Sequence, residues 1–243
     1  AAVQRASVAH AGTRQVTRSQ TAAGRQLSNL LAGMLLRGGA LGLNHTTLNS
    51  AGLLQGNTLN LATGEWINTG NALGEAGVTA AVTGALTNSG KVLSQQALDV
   101  QAGNTGNRGQ LLAKVLTLRG DLQNSGLLQG SGTLAWSGNT FANQTQGQVT
   151  GGEALTLSGH TLSNAGSLQG RSATLDAGSL NNQGSVQALD ALTLAATGRL
   201  DNTGALLSQH LFTLTAAPLF HDGPPAGHAL AVTAAQLNNT WHL

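Results

Sequence analysis

The chain has 243 residues, among them 34 glycines, three phenylalanines, three tryptophans, no tyrosine and no cysteine. Disulfide scaffolds and thiolate metal sites are thereby excluded, and no apolar run is long enough for a membrane-spanning helix. Only 8% of the residues are charged and the net charge is +2, too little to mark a strongly basic or acidic binding surface.

The first 26 residues carry little pattern, although Val8-Ala9-His10-Ala11-Gly12 reads as a degenerate copy of the motif that fills the rest of the chain. This segment, 1–26, is expected to be a degenerate or capping element. Arg5, Arg14, Arg18, Arg25 and Arg37 precede the first acidic residue, Glu65; from there on nine acidic residues outnumber six basic ones. The basic start lacks interleaved aromatics and runs of like charge, so it reads as a solvated flank and not as a nucleic-acid or membrane patch.

From residue 27 to 243 a motif Leu-x-Asn-x-Gly returns. It stands complete at 86–90, 122–126, 162–166, 180–184 and 200–204, and in looser form at 66–70 and 105–109. At 48–52 Ser50 takes the Asn place, and the copies Leu27 to Gly33 and Phe141 to Gly147 carry two extra residues. The anchor glycines from Gly33 to Gly223 are separated by ten intervals over 190 residues, a mean of 19. A repeat this short and regular specifies a solenoid.

Seven to ten residues after each anchor glycine come two apolar residues separated by one, as in Leu59/Leu61, Leu98/Val100, Leu134/Trp136, Leu155/Leu157, Phe212/Leu214 and Leu230/Val232. Such alternation, bounded by Gly, Asn and Ser, predicts a short strand with one buried face. A third apolar position lies in between, at Leu128, Leu168, Val186 and Leu206. Three short strands joined by tight corners fit 19 residues, whereas a helix with its turns does not. A leucine-rich horseshoe needs a longer convex segment than the glycine-rich stretch 76–84 suggests. The predicted fold is all-β, a parallel β-helix of about eleven coils with about 19 residues each.

In that geometry equivalent positions stack one strand spacing apart, roughly 4.8 Å. Asn68, Asn88, Asn107, Asn124, Asn143, Asn164, Asn182, Asn202 and Asn239 should form an amide ladder along the axis. Asparagine tolerates a left-handed corner, and the glycine two residues on would supply a positive φ.

Asp190, His210 and His228 each precede an inward doublet by two residues in three successive coils. Stacked on one corner, they could share a Zn²⁺ or Ni²⁺ ion with water as a fourth ligand. The alternative is a merely solvated polar corner, favoured by the Gly, Ala, Gln and Lys that hold the same place in earlier coils. No other cofactor is expected.

The strings Leu-Thr-Asn-Ser-Gly-Lys-Val-Leu-Ser at 86–94, Leu-Gln-Asn-Ser-Gly-Leu-Leu-Gln-Gly at 122–130 and Leu-Asp-Asn-Thr-Gly-Ala-Leu-Leu-Ser at 200–208 resemble the filamentous haemagglutinin repeat. That repeat belongs to the large exoproteins of Gram-negative two-partner secretion, adhesins and contact-dependent growth inhibition effectors among them. The resemblance implies a right-handed β-helical stalk on the cell surface, virulence-related, exported through an outer-membrane β-barrel transporter. The expected partner on a target cell is a receptor or glycan, with no nucleic acid, and the expected state is a monomer. A chain that begins and ends in repeat is expected to be a piece of something longer, and the lack of cysteine fits passage through an oxidising compartment. His221-Asp222 in a ladder place and Trp241 in a glycine place depart from the pattern.

An enzymatic role is not expected. Asp99, Asp121, Asp176, Asp190 and Asp201 sit at different places within their coils, so paired carboxylates at glycosidase separation are not evident. Trp66, Trp136, Phe141 and Phe212 fall on inward positions and only Phe220 on an outward one, which leaves no aromatic platform for a sugar. A flat binding face of outward threonines at Thr79, Thr117, Thr156, Thr193 and Thr213 is interrupted by Asn60, Asp99 and Ala135.

Overall fold

A computed structural model describes residues 3–10, 12–16, 20–30, 33–221, 225–226, 229–234 and 236–239. The fold is an all-β parallel solenoid of about ten turns roughly 19 residues apart, with no helix among the described residues. Two compact units, 1–120 and 121–243, divide the chain.

In the unit 1–120 every pairing among the described residues is parallel, between one coil and the next. Val3–His10 lies beside Ala22–Asn29, which lies beside Leu43–Ser50, then Ala62–Asn68 and Ala81–Asn88. The degenerate Val8 and His10 thus fall in register with Leu27 and Asn29. Coils that the sequence divides into three short strands are hydrogen-bonded almost continuously, as in Asn71–Asn88. Three faces persist because the inward alternation slips phase twice. Ala72 and Gly74 point in, then Val78, Ala80 and Val82, then Leu86 and Asn88, with exposed pairs at 75–76 and 83–84. Those slips are the corners, where the ladder register skips residues, as between Val82 and Ala85.

The unit 121–243 repeats the arrangement through Leu127–Asn143, Gln148–Asn164, Ser167–Asn182 and the shorter strands after them. Leu134, Leu155, Ala173, Leu192 and Phe212 form one inward column, and Trp136, Leu157, Leu175, Leu194 and Leu214 form its neighbour. All ten are 3% exposed or less. A fully buried leucine is worth about 2 kcal/mol over its exposed state, so each leucine of these columns adds about that much to the cohesion of its coil. The insertion after Phe141 is accommodated as a turn in which the Gly147 N–H donates to the Gln144 carbonyl at 2.8 Å.

Two expectations need correction. Val232, expected inward beside Leu230, is 41% exposed, because among the described residues nothing stacks on its outer side; the Leu230 side chain lies outside the described residues. The anchor glycines do not serve a positive φ: among the described residues only Gly120, at φ 102°, adopts one, and no asparagine does. What excludes a side chain there is proximity. A Cβ on Gly90 would strike the carbonyl oxygen of Gly70, and one on Gly184 that of Gly166. The anchor glycines of adjacent coils therefore touch through backbone alone.

Candidate functional site

The corner after each inward leucine is held by the asparagine. In the unit 1–120, Asn68 Nδ2 donates to Asn88 Oδ1 at 2.8 Å and Asn88 Nδ2 to Asn107 Oδ1 at 2.7 Å. In the unit 121–243 the bonds run from Asn124 to Asn143, to Asn164, to Asn182 and to Asn202, at 2.7–2.9 Å. Each Nδ2 also donates to the carbonyl of the anchor glycine of its own coil, as Asn164 does to Gly166 at 3.3 Å. The asparagine carbonyl accepts two N–H groups of the next corner, as Asn68 does from Ser89 and Gly90. Side chain and backbone polar groups that the tight corner would otherwise strand are thus paired. Asn68, Asn88, Asn124, Asn164 and their counterparts are 4% exposed or less, so they brace the fold and offer nothing to a ligand. Beyond Asn202 the register continues to His221 and Asn239, whose side chains lie outside the described residues.

A second corner, on the other end of the same short strand, is open. Thr150, Gln169, Gln187 and Leu207 stack in register and point outward, while Gly151, Gly170, Ala188 and Ser208 stack behind them. Small residues at the bend leave a groove of about 730 Å³, lined also by Arg171, Leu189, Gln209 and His210. Register across this bend is uneven. Two residues separate Gly151 from Ala154, one separates Gly170 from Ser172, and two separate Ala188 from Ala191. The shorter corner places Arg171 between the carboxylates of its neighbours: its Nε lies 2.7 Å from Asp190 Oδ2, and its Nη1 lies 3.9 Å from Glu153 Oε2. The Asp190 hydrogen bond and the two negative charges raise the Arg171 pKa further above its ordinary value.

Of the expected metal ligands, Asp190 and His210 come together, with Nδ1 3.8 Å from Oδ1. His210 Nδ1 also sits 3.0 Å from the Leu189 carbonyl oxygen. His228 lies outside the described residues, and among the described residues no group of three potential ligands is assembled. Spacing alone does not single out Arg171, which holds Asp190 from the opposite side. Nor does it single out the groove, although the residue three after each anchor glycine, Gln169 or Gln187, marks its wall.

Trp66, Trp136, Phe141 and Phe212 are buried as expected. Phe220 is half-buried, beneath the Arg199 guanidinium 3.8 Å from its ring centroid. The outward threonines are more continuous than their spacing in the sequence implies. Thr174 completes a run Thr156, Thr174, Thr193, Thr213 in register. His45 is buried at 4% exposure, its Nδ1 has no hydrogen-bond partner, and burial lowers its pKa.

The chain is similar to segments of several large CdiA proteins. It is 38% identical over 219 residues, 88% of its length, to the deoxyribonuclease CdiA of Dickeya dadantii. It is 30% identical over 262 aligned positions, 87% of its length, to the 16S rRNA endonuclease CdiA of Enterobacter cloacae. To the tRNA nuclease CdiA of Escherichia coli O6:K15:H31 it is 30% identical over 173 residues, 63% of its length. The matches cover 6%, 8% and 5% of those proteins, so the chain spans a small fraction of each. No family model matches the chain, and no solved structure matches it significantly. These names correct the expectation that no enzyme is involved, since all three relatives are named as nucleases. The absence of catalytic spacing in so small a share of such a protein carries no weight on whether that protein is an enzyme.

Proposed function

We propose that the chain is a stalk segment of a large CdiA-type toxin that is secreted by a Gram-negative bacterium through an outer-membrane β-barrel transporter and displayed at the cell surface. The solenoid holds a binding or toxic region of that protein toward a target cell bearing its receptor. The nuclease activities named for the relatives are, on this reading, the kind of activity the parent toxin delivers. The observation that carries it is the conjunction of a solenoid of about ten turns roughly 19 residues apart with similarity to 5–8% of CdiA proteins that are named as nucleases. A repeat unit that contacts only its neighbours suits a spacer, whose length can change without loss of fold.

Excision of one coil tests it. Removal of residues 148–166 from the parent protein joins Gly147 to Ser167, which stands in register with Gln148, the residue that normally follows Gly147. The shortened protein is expected to be secreted and to inhibit target cells as before. Loss of inhibition with normal surface display would replace the spacer role by direct engagement of the target through this segment.

A further inference from the structure

We propose that the open corner groove of the unit 121–243 is a binding site for a neutral oligosaccharide. The proposal goes beyond the stalk reading and does not depend on it, since it rests on this corner alone.

The groove spans four coils, so about three strand spacings, roughly 14 Å, separate Thr150 from Leu207. Its wall presents Gln169 and Gln187 in register, both exposed. Neither side-chain amide has a hydrogen-bond partner among the described residues, unlike the ladder amides Asn164 and Asn182, which are engaged. Each therefore offers two donors and an acceptor at strand spacing. Beside them stands Leu189, 53% exposed, an apolar surface of the size that packs on the C–H face of a sugar ring.

Charge narrows the occupant. The corner carries Glu153, Arg171, Asp190 and His210, and Arg171 is already paired with both carboxylates. With His210 neutral the column sums to one negative charge, which repels nucleic acid, sulfated glycans and uronates. Arg171 and Asp190, fixed against each other and 57% and 46% exposed, still present donors and acceptors to vicinal hydroxyl groups. An extended peptide fits less well. Strand addition needs unpaired backbone at a sheet edge, whereas Gln169 and Gln187 lie in a ladder paired on both sides. What remains to meet a ligand is side-chain amide, the exposed side of the Arg171–Asp190 pair and two leucines, Leu189 and Leu207, a set that matches hydroxyl groups and ring carbons.

The test titrates the full chain with maltohexaose, cellohexaose and mannohexaose, and in parallel with a hexamer of galacturonic acid. The side-chain amide resonances of Gln169 and Gln187 are followed by NMR. At least one neutral hexamer is expected to shift them saturably while the uronate leaves them in place. Loss of two uncharged hydrogen bonds in Gln169→Ala/Gln187→Ala should weaken that binding about tenfold. The variant is expected to keep its melting temperature, because both residues are exposed. No shift with any neutral sugar would overturn the proposal. So would unchanged affinity in the double variant, or tighter binding of the uronate than of every neutral hexamer.

Discussion

Each unit buries a tryptophan that its neighbouring coils must make room for, and the two do so differently. In the unit 1–120, Trp66 occupies the leucine place beside the corner, and the preceding coil has Ser50 where asparagine is usual. The indole Nε1–H donates to Ser50 Oγ at 2.8 Å, and that hydroxyl donates in turn to Asn68 Oδ1 at 2.8 Å. Behind it, Asn29 Nδ2 donates to the Leu53 carbonyl at 3.1 Å, the counterpart of the Asn68 bond to Lys91, but makes no rung to position 50 of the kind Asn68 makes to Asn88. In the unit 121–243, Trp136 stands in mid-face, tilted 58° against Phe141 at a centroid distance of 5.1 Å. Its ring fills the space where a Cβ on Gly159, one coil later, would sit. A large ring near a corner thus displaces an amide from the ladder, while one in mid-face displaces only a side chain. The second unit keeps five consecutive asparagines bonded.

The comparison breaks most visibly at the intact ladder. Asn164→Ala removes the acceptor of Asn143 and the donor to Asn182, both buried, and should cost on the order of 3 kcal/mol in urea denaturation. A cost no larger than an ordinary surface change would mean that the backbone bonds hold the corners unaided. Gly159→Ala should cost about 2 kcal/mol through clashes with the Gly138 carbonyl oxygen and the Trp136 ring, and Trp136→Leu in the same chain should restore only the part due to the ring. The first unit offers the converse. Ser50→Asn alone should destabilise by crowding Trp66, whereas Ser50→Asn with Trp66→Leu should rebuild a rung, a coupling of about 1 kcal/mol in a double-mutant cycle. Additive effects would show that Ser50 and Trp66 are unrelated departures.

The smallest effect concerns His45. Its folded-state pKa lies below the ordinary value of about 6.5, so below that pH the unfolded chain binds more protons than the folded one. Stability of the unit 1–120 is therefore present above about pH 6.5 and lost as pH falls through the window below it. Hydrogen exchange should report that loss within this unit. It should flatten in His45→Val, which places the residue of Val82 in the same column.

The register of the ladder and the inward columns is legible in the sequence because both follow from local rules. Alternation assigns Leu155 and Leu157 to one face whatever lies next to them, and a repeat sums small local preferences into an unmistakable period. The failures are equally physical. The usual role of glycine in turns predicts a positive φ for the anchor glycines. In the structure, contact with the glycine carbonyl one coil back excludes the side chain instead. Val232 has the pattern of an inward residue but no described neighbour to bury it.

The sequence by itself determined the period, the β-solenoid class, the asparagine column and the burial of the aromatic rings, since each is written in spacing and residue type. Only the tertiary structure decided what meets at the open corner. Coil-to-coil offsets vary, and the difference is absorbed by one residue more or fewer at a bend. The single residue between Gly170 and Ser172, against two in the adjoining coils, sets Arg171 between Glu153 and Asp190. No local preference in the chain specifies how that slack is shared, because it is settled by how whole coils stack.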